Sequence, residues 1–235
     1  IDRKHGRVAK LTLALFLLGT STVAMGLVPS YAVLGDWAIV IMAVLRIGQG
    51  LAIGGSWDGL ASLLALSAPK EKRGFYAMIP QLGAPIGLIV AALLFSYLVT
   101  NLSEQDFLDW GWRYPFFVAF SINVVALFAR LRIIASPEFQ EAFETRELQP
   151  TRIRETFRTD WRAIALGTIV PLASFAMFHM VTVFPLSWVY LYTDETLTFF
   201  LNLTALAAAF GLVSVLLSGW LSDWFGRRRV LLWGA

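Results

Sequence analysis

The chain has 235 residues, of which 57% are hydrophobic and only 15% are charged, and its formal net charge is +3 at pH 7. Soluble domains carry about 25% charged residues, and one this apolar would expose large hydrophobic patches. The composition therefore excludes a soluble enzyme, a nucleic-acid-binding module and a disordered tail. Cysteine is absent, which excludes a disulfide framework and a thiolate metal site, and we predict neither a metal nor a cofactor.

Six apolar runs are each long enough to cross a bilayer. A helix needs about 20 residues to cross about 30 Å of hydrocarbon, and its backbone groups must be hydrogen-bonded within the segment. The strands of a barrel would alternate polar and apolar residues, and these runs do not. We predict an all-α integral membrane protein with six transmembrane helices, and a seventh run begins at Val230. The six runs are Leu11–Ala32, Trp37–Ala65, Phe75–Val99, Pro115–Ile134, Ile164–Tyr190 and Thr198–Leu221.

Lys and Arg side chains occupy every second gap around these runs, and the gaps between are acidic or uncharged. Loops rich in Lys and Arg stay on the cytoplasmic side of a membrane. We therefore predict a multi-pass protein of the inner membrane with both chain ends cytoplasmic. The basic gaps lie at residues 3–10, 70–73, 146–162 and 227–229.

The longest gap, residues 135–161, contains two amphipathic patterns. One apolar stripe, Phe139–Phe143, follows a Ser-Pro-Glu helix start, and a second, Ile153–Trp161, runs beside several arginines. Both stripes predict helices that lie on the inner membrane face with their basic sides toward lipid headgroups. A solvated linker with a helical bias is the alternative.

The most specific motif lies near the C-terminus, in a basic loop between two runs. Gly219 allows a close helix approach, and Asp223 stands at the turn, where it can meet a cation or a helix N-terminus. Gly226 permits a tight reversal of the chain. Arg227 and Arg228 hold the loop on the inside.

A related string, which contains Asp2, Gly6 and Arg7, opens the chain, and two such loops indicate an internal repeat of transporter type. The pair resembles the G-x-L-x-D-x-x-G-R-[RK] loop of the major facilitator superfamily, which joins its second and third helices and its eighth and ninth. Asp223 and Gly226 have the spacing of that pattern, whereas Asp2 and Gly6 lie one residue further apart.

Two further elements narrow the resemblance. Residues 46–55 are similar to the R-x-x-Q-G-x-x-x-G-G stretch of the fourth helix, and residues 81–87 to the G-x-P-x-G element of the fifth. Together they resemble the metabolite:proton symporters, with sugar porters as the nearest rival family. Small residues at four-residue spacing allow close helix crossings, and proline bends a helix. The predicted helix-packing residues are Gly50, Gly54, Gly83, Pro85 and Gly87.

The resemblance implies that the six runs are helices three to eight of a major-facilitator-type twelve-helix bundle, with the chain truncated at both ends. Residues 1–134 would be part of the N-terminal helical bundle, with four spans. Residues 135–161 would be a cytoplasmic linker with amphipathic helices. Residues 162–235 would start the C-terminal bundle, with two spans and the beginning of a third.

The function implied is secondary active transport by alternating access, specifically proton-coupled symport of a small organic acid or zwitterionic metabolite, and not catalysis. The sequence has no nucleotide-binding G-x-x-x-x-G-K-[ST] loop, so the energy would come from an ion gradient. The predicted partners are the lipid bilayer, a small metabolite and a proton, with no nucleic acid.

Three ionisable side chains lie inside predicted spans, where a charge costs at least about 2.5 kcal/mol. Arg46, whose helix face continues through Gln49, can bind a carboxylate or tune a proton site; the alternative is an internal pair with another helix. Asp58 can carry a proton, because a carboxyl group in the membrane favours its protonated form; alternatively, nearby basic residues hold it at the cytoplasmic interface. His179 is either a titratable cavity group or a hydrogen-bonded packing residue.

Gln81, Trp188 and Tyr190 complete the candidate substrate or proton residues. Gln81 opens the fifth-helix element. Trp188 and Tyr190 are near the outer end of the fifth run, where aromatic residues are typical of interfacial belts; a substrate gate is the second interpretation. Arg46 and Arg113 favour an anion or a zwitterion as the substrate.

Two other functions remain open. The transport cavity of the family is lined by helices one, four, seven and ten, and this chain supplies only four and seven. A truncated transporter-like chain could act as a structural or accessory subunit of a membrane complex, with a membrane-protein partner. A half-transporter that pairs with itself is the other alternative.

We expect the intact mass of the native protein from membranes to be roughly 1.7–2 times the 26.1 kDa of this chain, because twelve spans of about 20 residues plus loops require that length. Mass spectrometry of the purified membrane protein measures it. A mass near 26.1 kDa would favour the subunit or the oligomer instead.

Overall fold

The computed structural model describes residues 2–56, 61, 64–65, 68–134 and 157–234, and this part of the chain contains helices and turns but no strand. Short 3-10 segments, Lys70–Lys72, Ile79–Leu82 and Gly111–Arg113, connect some of the helices. The helices are α1 (Asp2–Leu27), α2 (Tyr31–Leu34), α3 (Asp36–Ser56), α4 (Arg73–Met78), α5 (Gly83–Asn101), α6 (Glu104–Asp109), α7 (Tyr114–Ile134), α8 (Trp161–Thr182), α9 (Phe184–Tyr192), α10 (Leu197–Phe225) and α11 (Arg227–Gly234).

The all-helical fold confirms the predicted fold class. Among the described residues, four helical stretches are long and apolar enough to cross a membrane: Asp36–Gly54, Lys70–Asn101, Gly111–Ala129 and Leu197–Phe225. The first and fifth predicted runs contribute shorter apolar helices, Thr12–Leu27 and Ala176–Tyr192. The count of six crossings therefore remains a prediction. The two amphipathic helices predicted for the linker fall largely on residues 135–156, outside the described part.

Proline interrupts two of the predicted spans, because it has no N–H for the helical ladder and clashes with the preceding turn. The third span is divided into α4, the 3-10 segment Ile79–Leu82 that contains Pro80, and α5. The fifth span breaks at Val183, and α9 then begins with Pro185 in its first turn. Both spans are therefore jointed rather than straight.

One group of helices consists of α1, α3 and α7, in which α1 packs against both of the others. Close crossings occur at glycines of α1 and α3. A Cβ built on Gly48 would lie 2.8 Å from Ser21 Oγ, and one on Gly19 would lie 2.6 Å from Asn123 Oδ1. The missing side chains let these helix backbones approach.

The second group consists of α4 and α5 packed along α10. Although α5 belongs to the predicted N-terminal bundle, its main partner is α10 of the predicted C-terminal bundle, and its contacts with α7 are few. The α5–α10 pair is therefore the main contact between the two predicted halves.

Arg113 joins the start of α7 to the end of α1. Its Nη1 donates hydrogen bonds of 2.8 Å to both Gly26 O and Val28 O, and its guanidinium lies 4.6 Å from the ring centre of Trp112. The last carbonyls of a helix have no partner in their own helix, and a cation is favourable at that end. These contacts give Arg113 a structural role, and the expectation that it favours an anionic substrate stays a prediction.

We expect Arg113→Ala to destabilise the protein by about 1–3 kcal/mol, because two buried carbonyls lose their partner. Arg113→Lys should be intermediate, since it keeps the charge without the planar fork. The midpoint of thermal unfolding in detergent measures both effects. Arg162→Ala, which removes an exposed arginine beside the exposed Trp161, is the control, and an equal loss in that variant would contradict the prediction.

Candidate functional site

The carboxylate of Asp223 joins the end of α10 to the start of α4. Asp223 lies in the last turn of α10, and it accepts hydrogen bonds from Gly74 N (2.6 Å to Oδ1) and Phe75 N (2.9 Å to Oδ2). These two N–H groups belong to the first turn of α4, where no intrahelical acceptor exists. Asp223 thus caps a helix from another part of the chain.

Two glycines make this contact possible. A Cβ on Gly74 would lie 2.6 Å from Asp223 Oδ1 and 3.0 Å from Gly219 O. A Cβ on Gly219 would collide with the side chain of Met78 and come within 3.4 Å of Phe75 Cα. The predicted close helix approach at Gly219 is therefore present, and its partner is α4.

Gly226 ends α10 with a φ of +85°, a conformation that glycine adopts more easily than other residues. Its N–H donates to Ser222 O at 3.2 Å. Directly after it, α11 begins with Arg227, and the side chains of Arg227 and Arg228 are exposed. We name the contact of Asp223 with the first turn of α4 the cytoplasmic junction, after the orientation that the basic loops predict.

The first copy of the loop motif is placed differently. The backbone of Asp2, Gly6 and Arg7 forms the first turns of α1 rather than a loop, so the expectation of a loop before the first span is wrong here. The backbone from Asp2 to Gly6 is helical and does not reverse through a positive φ, as the backbone does at Gly226. The side chains of these residues lie outside the described part.

Arg46 and Gln49 form a polar chain between α3 and α1. Arg46 Nη1 donates to Gln49 Oε1 at 3.3 Å, and Gln49 Nε2 donates to Thr22 Oγ1 at 2.8 Å. The hydroxyl of Thr22 in turn donates to Leu18 O at 2.7 Å. Gln49 therefore orients an exposed guanidinium, which has five N–H donors in total.

A cavity of about 650 Å³ lies between α5, α8 and α10. Its walls are apolar apart from Gln81, Thr182 and Thr204. The two threonine hydroxyls donate to carbonyls of their own helices, Phe178 O and Phe200 O. Of the three polar side chains in this lining, Gln81 is the one that does not donate a hydrogen bond to a carbonyl of its own helix.

The other predicted candidates are placed apart from this cavity. His179 is exposed on α8, with its ring centre 6.0 Å from that of Phe178. Trp188 stacks between Phe184 at 6.1 Å and Tyr192 at 4.7 Å on α9. Tyr190 is 71% exposed. Asp58 lies outside the described residues.

The predicted helix-packing glycines do not mark the closest crossings in the described part of the chain. A Cβ on Gly50, Gly54, Gly83 or Gly87 would have nothing within 4 Å. Pro85 lines the cavity and comes within 4.0 Å of a Cβ built on Gly211.

Sequence reasoning missed three kinds of residue that the structure brings into contact. Gly74 was not among the predicted packing glycines, and neither was Gly48, which lies two residues before the predicted Gly50. Ser96 and Asn202, neutral polar residues inside the spans, were not among the predicted candidates, most of which are ionisable or aromatic. Their polar character within apolar runs was the signal.

A chain of membrane-length helices arranged in two packed groups is a multi-pass membrane protein. The family model described as Major Facilitator Superfamily matches residues 1–235, and the chain belongs to this superfamily. No solved structure matches it.

Relatives with curated names are transport proteins, which agrees with the prediction that the chain is not an enzyme. The inner membrane metabolite transport protein YhjE of Escherichia coli (strain K12) is 34% identical, and the match covers 97% of this chain and 52% of the length of that protein. The shikimate transporter of the same strain is 31% identical, over 97% and 53%, and its proline/betaine transporter is 29% identical, over 99% and 48%. The chain spans about half the length of these relatives.

We expect Gly74→Ala to destabilise the protein, because the new methyl group forces α4 away from Asp223 and from the α10 backbone. Gly83→Ala is the matched control: it lies in open space and should be neutral or stabilising by up to about 1 kcal/mol, since alanine is the better helix former. The midpoint of thermal unfolding in detergent compares the two. Equal midpoints would refute the importance of the close approach.

Proposed function

We propose that this protein is a secondary transporter that moves a small metabolite across the inner membrane by alternating access. The observation that carries the proposal is the cytoplasmic junction, which joins a helix of each predicted half through a few hydrogen bonds. These hydrogen bonds can break and re-form during a transport cycle.

The charge distribution supports the predicted orientation. The junction lies beside Lys70, Lys72 and the exposed Arg227–Arg229, and basic loops remain cytoplasmic. Both chain ends would then be on the inside. Opening the junction would give solutes access from the cytoplasm, and re-forming it would close that side.

The substrate class we propose is a small organic acid or a zwitterion, with a proton as the coupling ion. Arg46 supports an anionic group, because its guanidinium is exposed and Gln49 fixes its direction, and guanidinium groups bind carboxylates strongly. Asp58 and His179 are the proposed proton carriers. The names of the relatives, a shikimate transporter and a proline/betaine transporter, provide the probes.

Uptake by proteoliposomes tests the function directly. The protein, expressed from its complete coding sequence, is reconstituted with an imposed pH gradient, and labelled shikimate, proline and glycine betaine are offered in turn. Uptake that disappears when the gradient is collapsed supports proton-coupled symport. Uptake that is indifferent to the gradient contradicts the coupling, and no uptake of any probe favours the accessory subunit.

We expect Arg46→Gln to raise the KM for a transported carboxylate by roughly 10- to 100-fold, because a charge-assisted hydrogen bond contributes about 1.5–3 kcal/mol. Arg46→Lys should lose less, since it keeps the charge. Initial uptake rates over a range of concentrations measure the change. Arg132→Gln, which removes an exposed arginine in the last turn of α7, is the control, and a similar rise in that variant would argue against binding at Arg46.

A further inference from the structure

A second polar contact joins α5 and α10 at the end opposite the cytoplasmic junction. Ser96 Oγ donates a 2.9 Å hydrogen bond to Asn202 Oδ1. One turn further along, the hydroxyls of Thr100 and Thr198 lie 3.5 Å apart. Thr100 already donates its proton to Ser96 O, so Thr198 is the donor of that longer contact. We name these four residues the outer ladder.

The ladder has the geometry of a specific contact between antiparallel helices. Its two rungs are Ser96 with Asn202 and Thr100 with Thr198. On each helix the two rung residues are four positions apart, and the residue numbers rise along α5 in the direction in which they fall along α10. Ser96 is buried, with 6% of its surface exposed, beside the buried apolar Ala92 and Leu201. A polar pair between two apolar helices favours the register in which both side chains meet.

The two contacts are separated by about the thickness of a membrane. From Asn202 to Asp223 the continuous helix α10 rises roughly 32 Å at 1.5 Å per residue, which is close to the thickness of the hydrocarbon core, about 30 Å. The ladder is close in sequence to two acidic gaps, which contain Glu104 and Asp194. The charge distribution assigns these gaps to the outside. Between the two contacts, α5 and α10 form walls of the 650 Å³ cavity.

We infer that the outer ladder is the extracytoplasmic clamp of the transporter. It holds while the cavity opens to the cytoplasm, and it separates when the cavity opens to the outside. The inference rests on the proposed function. Alternating access needs a contact that closes each side of the cavity, and the cytoplasmic junction closes only one side. Ser96 and Asn202 would close the other.

The ladder is weak enough to cycle. Interhelical hydrogen bonds in membranes contribute on average about 0.6 kcal/mol and at most about 1.7 kcal/mol, which corresponds to a shift of roughly three- to fifteen-fold in an equilibrium. Removing the bond should not unfold the protein. The hydroxyl of Ser96 can bond to a carbonyl of its own helix instead, and Asn202 is already exposed.

Thiol labelling tests the clamp without relying on transport. Thr204, which lines the cavity two residues beyond Asn202, is changed to Cys as the reporter, and these 235 residues contain no other cysteine. A membrane-impermeant maleimide is applied from the extracytoplasmic side to the protein expressed from its complete coding sequence, and the same protein without the reporter gives the background.

We expect Asn202→Ala and Ser96→Ala each to raise the labelling rate roughly three- to fifteen-fold. The double variant should match the single variants, because both remove the same bond. Ser214→Ala is the matched control, since it removes a hydroxyl of α10 that donates only to Phe210 O of its own helix. It should leave the rate unchanged.

Three results would overturn the inference: unchanged labelling in both single variants, additive effects in the double variant, or an equal rise in Ser214→Ala. Uptake of the solutes is measured on the same preparations. Wild-type uptake combined with unchanged labelling refutes the clamp alone, whereas absent uptake in the wild type refutes the proposed transport function.

Discussion

The approach of the α4 backbone to the α10 backbone determines how the predicted N-terminal and C-terminal halves meet at this end of α10. It requires a glycine on each side, Gly74 and Gly219, because any Cβ at either position would meet a neighbouring helix. The approach places the Asp223 carboxylate within 2.9 Å of two free N–H groups of α4. A helix start has unpaired N–H groups in any case, so the protein satisfies them with a group from the other predicted half. Stability of a helix end and association of the halves thus depend on one carboxylate.

The sequence was sufficient to predict the helical class, the membrane environment and the family. The fourth and sixth runs, Pro115–Ile134 and Thr198–Leu221, correspond closely to α7 and α10, because both are uninterrupted apolar segments with clear ends. The loop motif also indicated that Asp223 would meet a cation or a helix N-terminus. Which helix it meets could not be predicted, because Gly74 is 149 residues away and no local pattern encodes that pairing.

The contacts between helices were the least predictable part. A small residue shows where a helix can approach a neighbour, but not whether a neighbour is there: Gly48 and Gly19 mark real crossings, whereas Gly50 and Gly83 face open space in the described part of the chain. These helices are apolar on all sides, so hydrophobic periodicity does not identify the buried face. Neutral polar residues such as Ser96 carry a signal that the prediction did not use, since polar side chains inside spans can form hydrogen bonds between helices.

The separation of the two contacts along the α5–α10 pair has a mechanical consequence. The continuous helix α10 acts as a lever whose arm, from Asp223 to Asn202, is roughly 32 Å. A tilt of about 10° about the Asp223 contact would move the Ser96 end by about 6 Å, which is twice the length of a hydrogen bond. A modest rotation is therefore enough to break one end completely while the other end serves as the fulcrum.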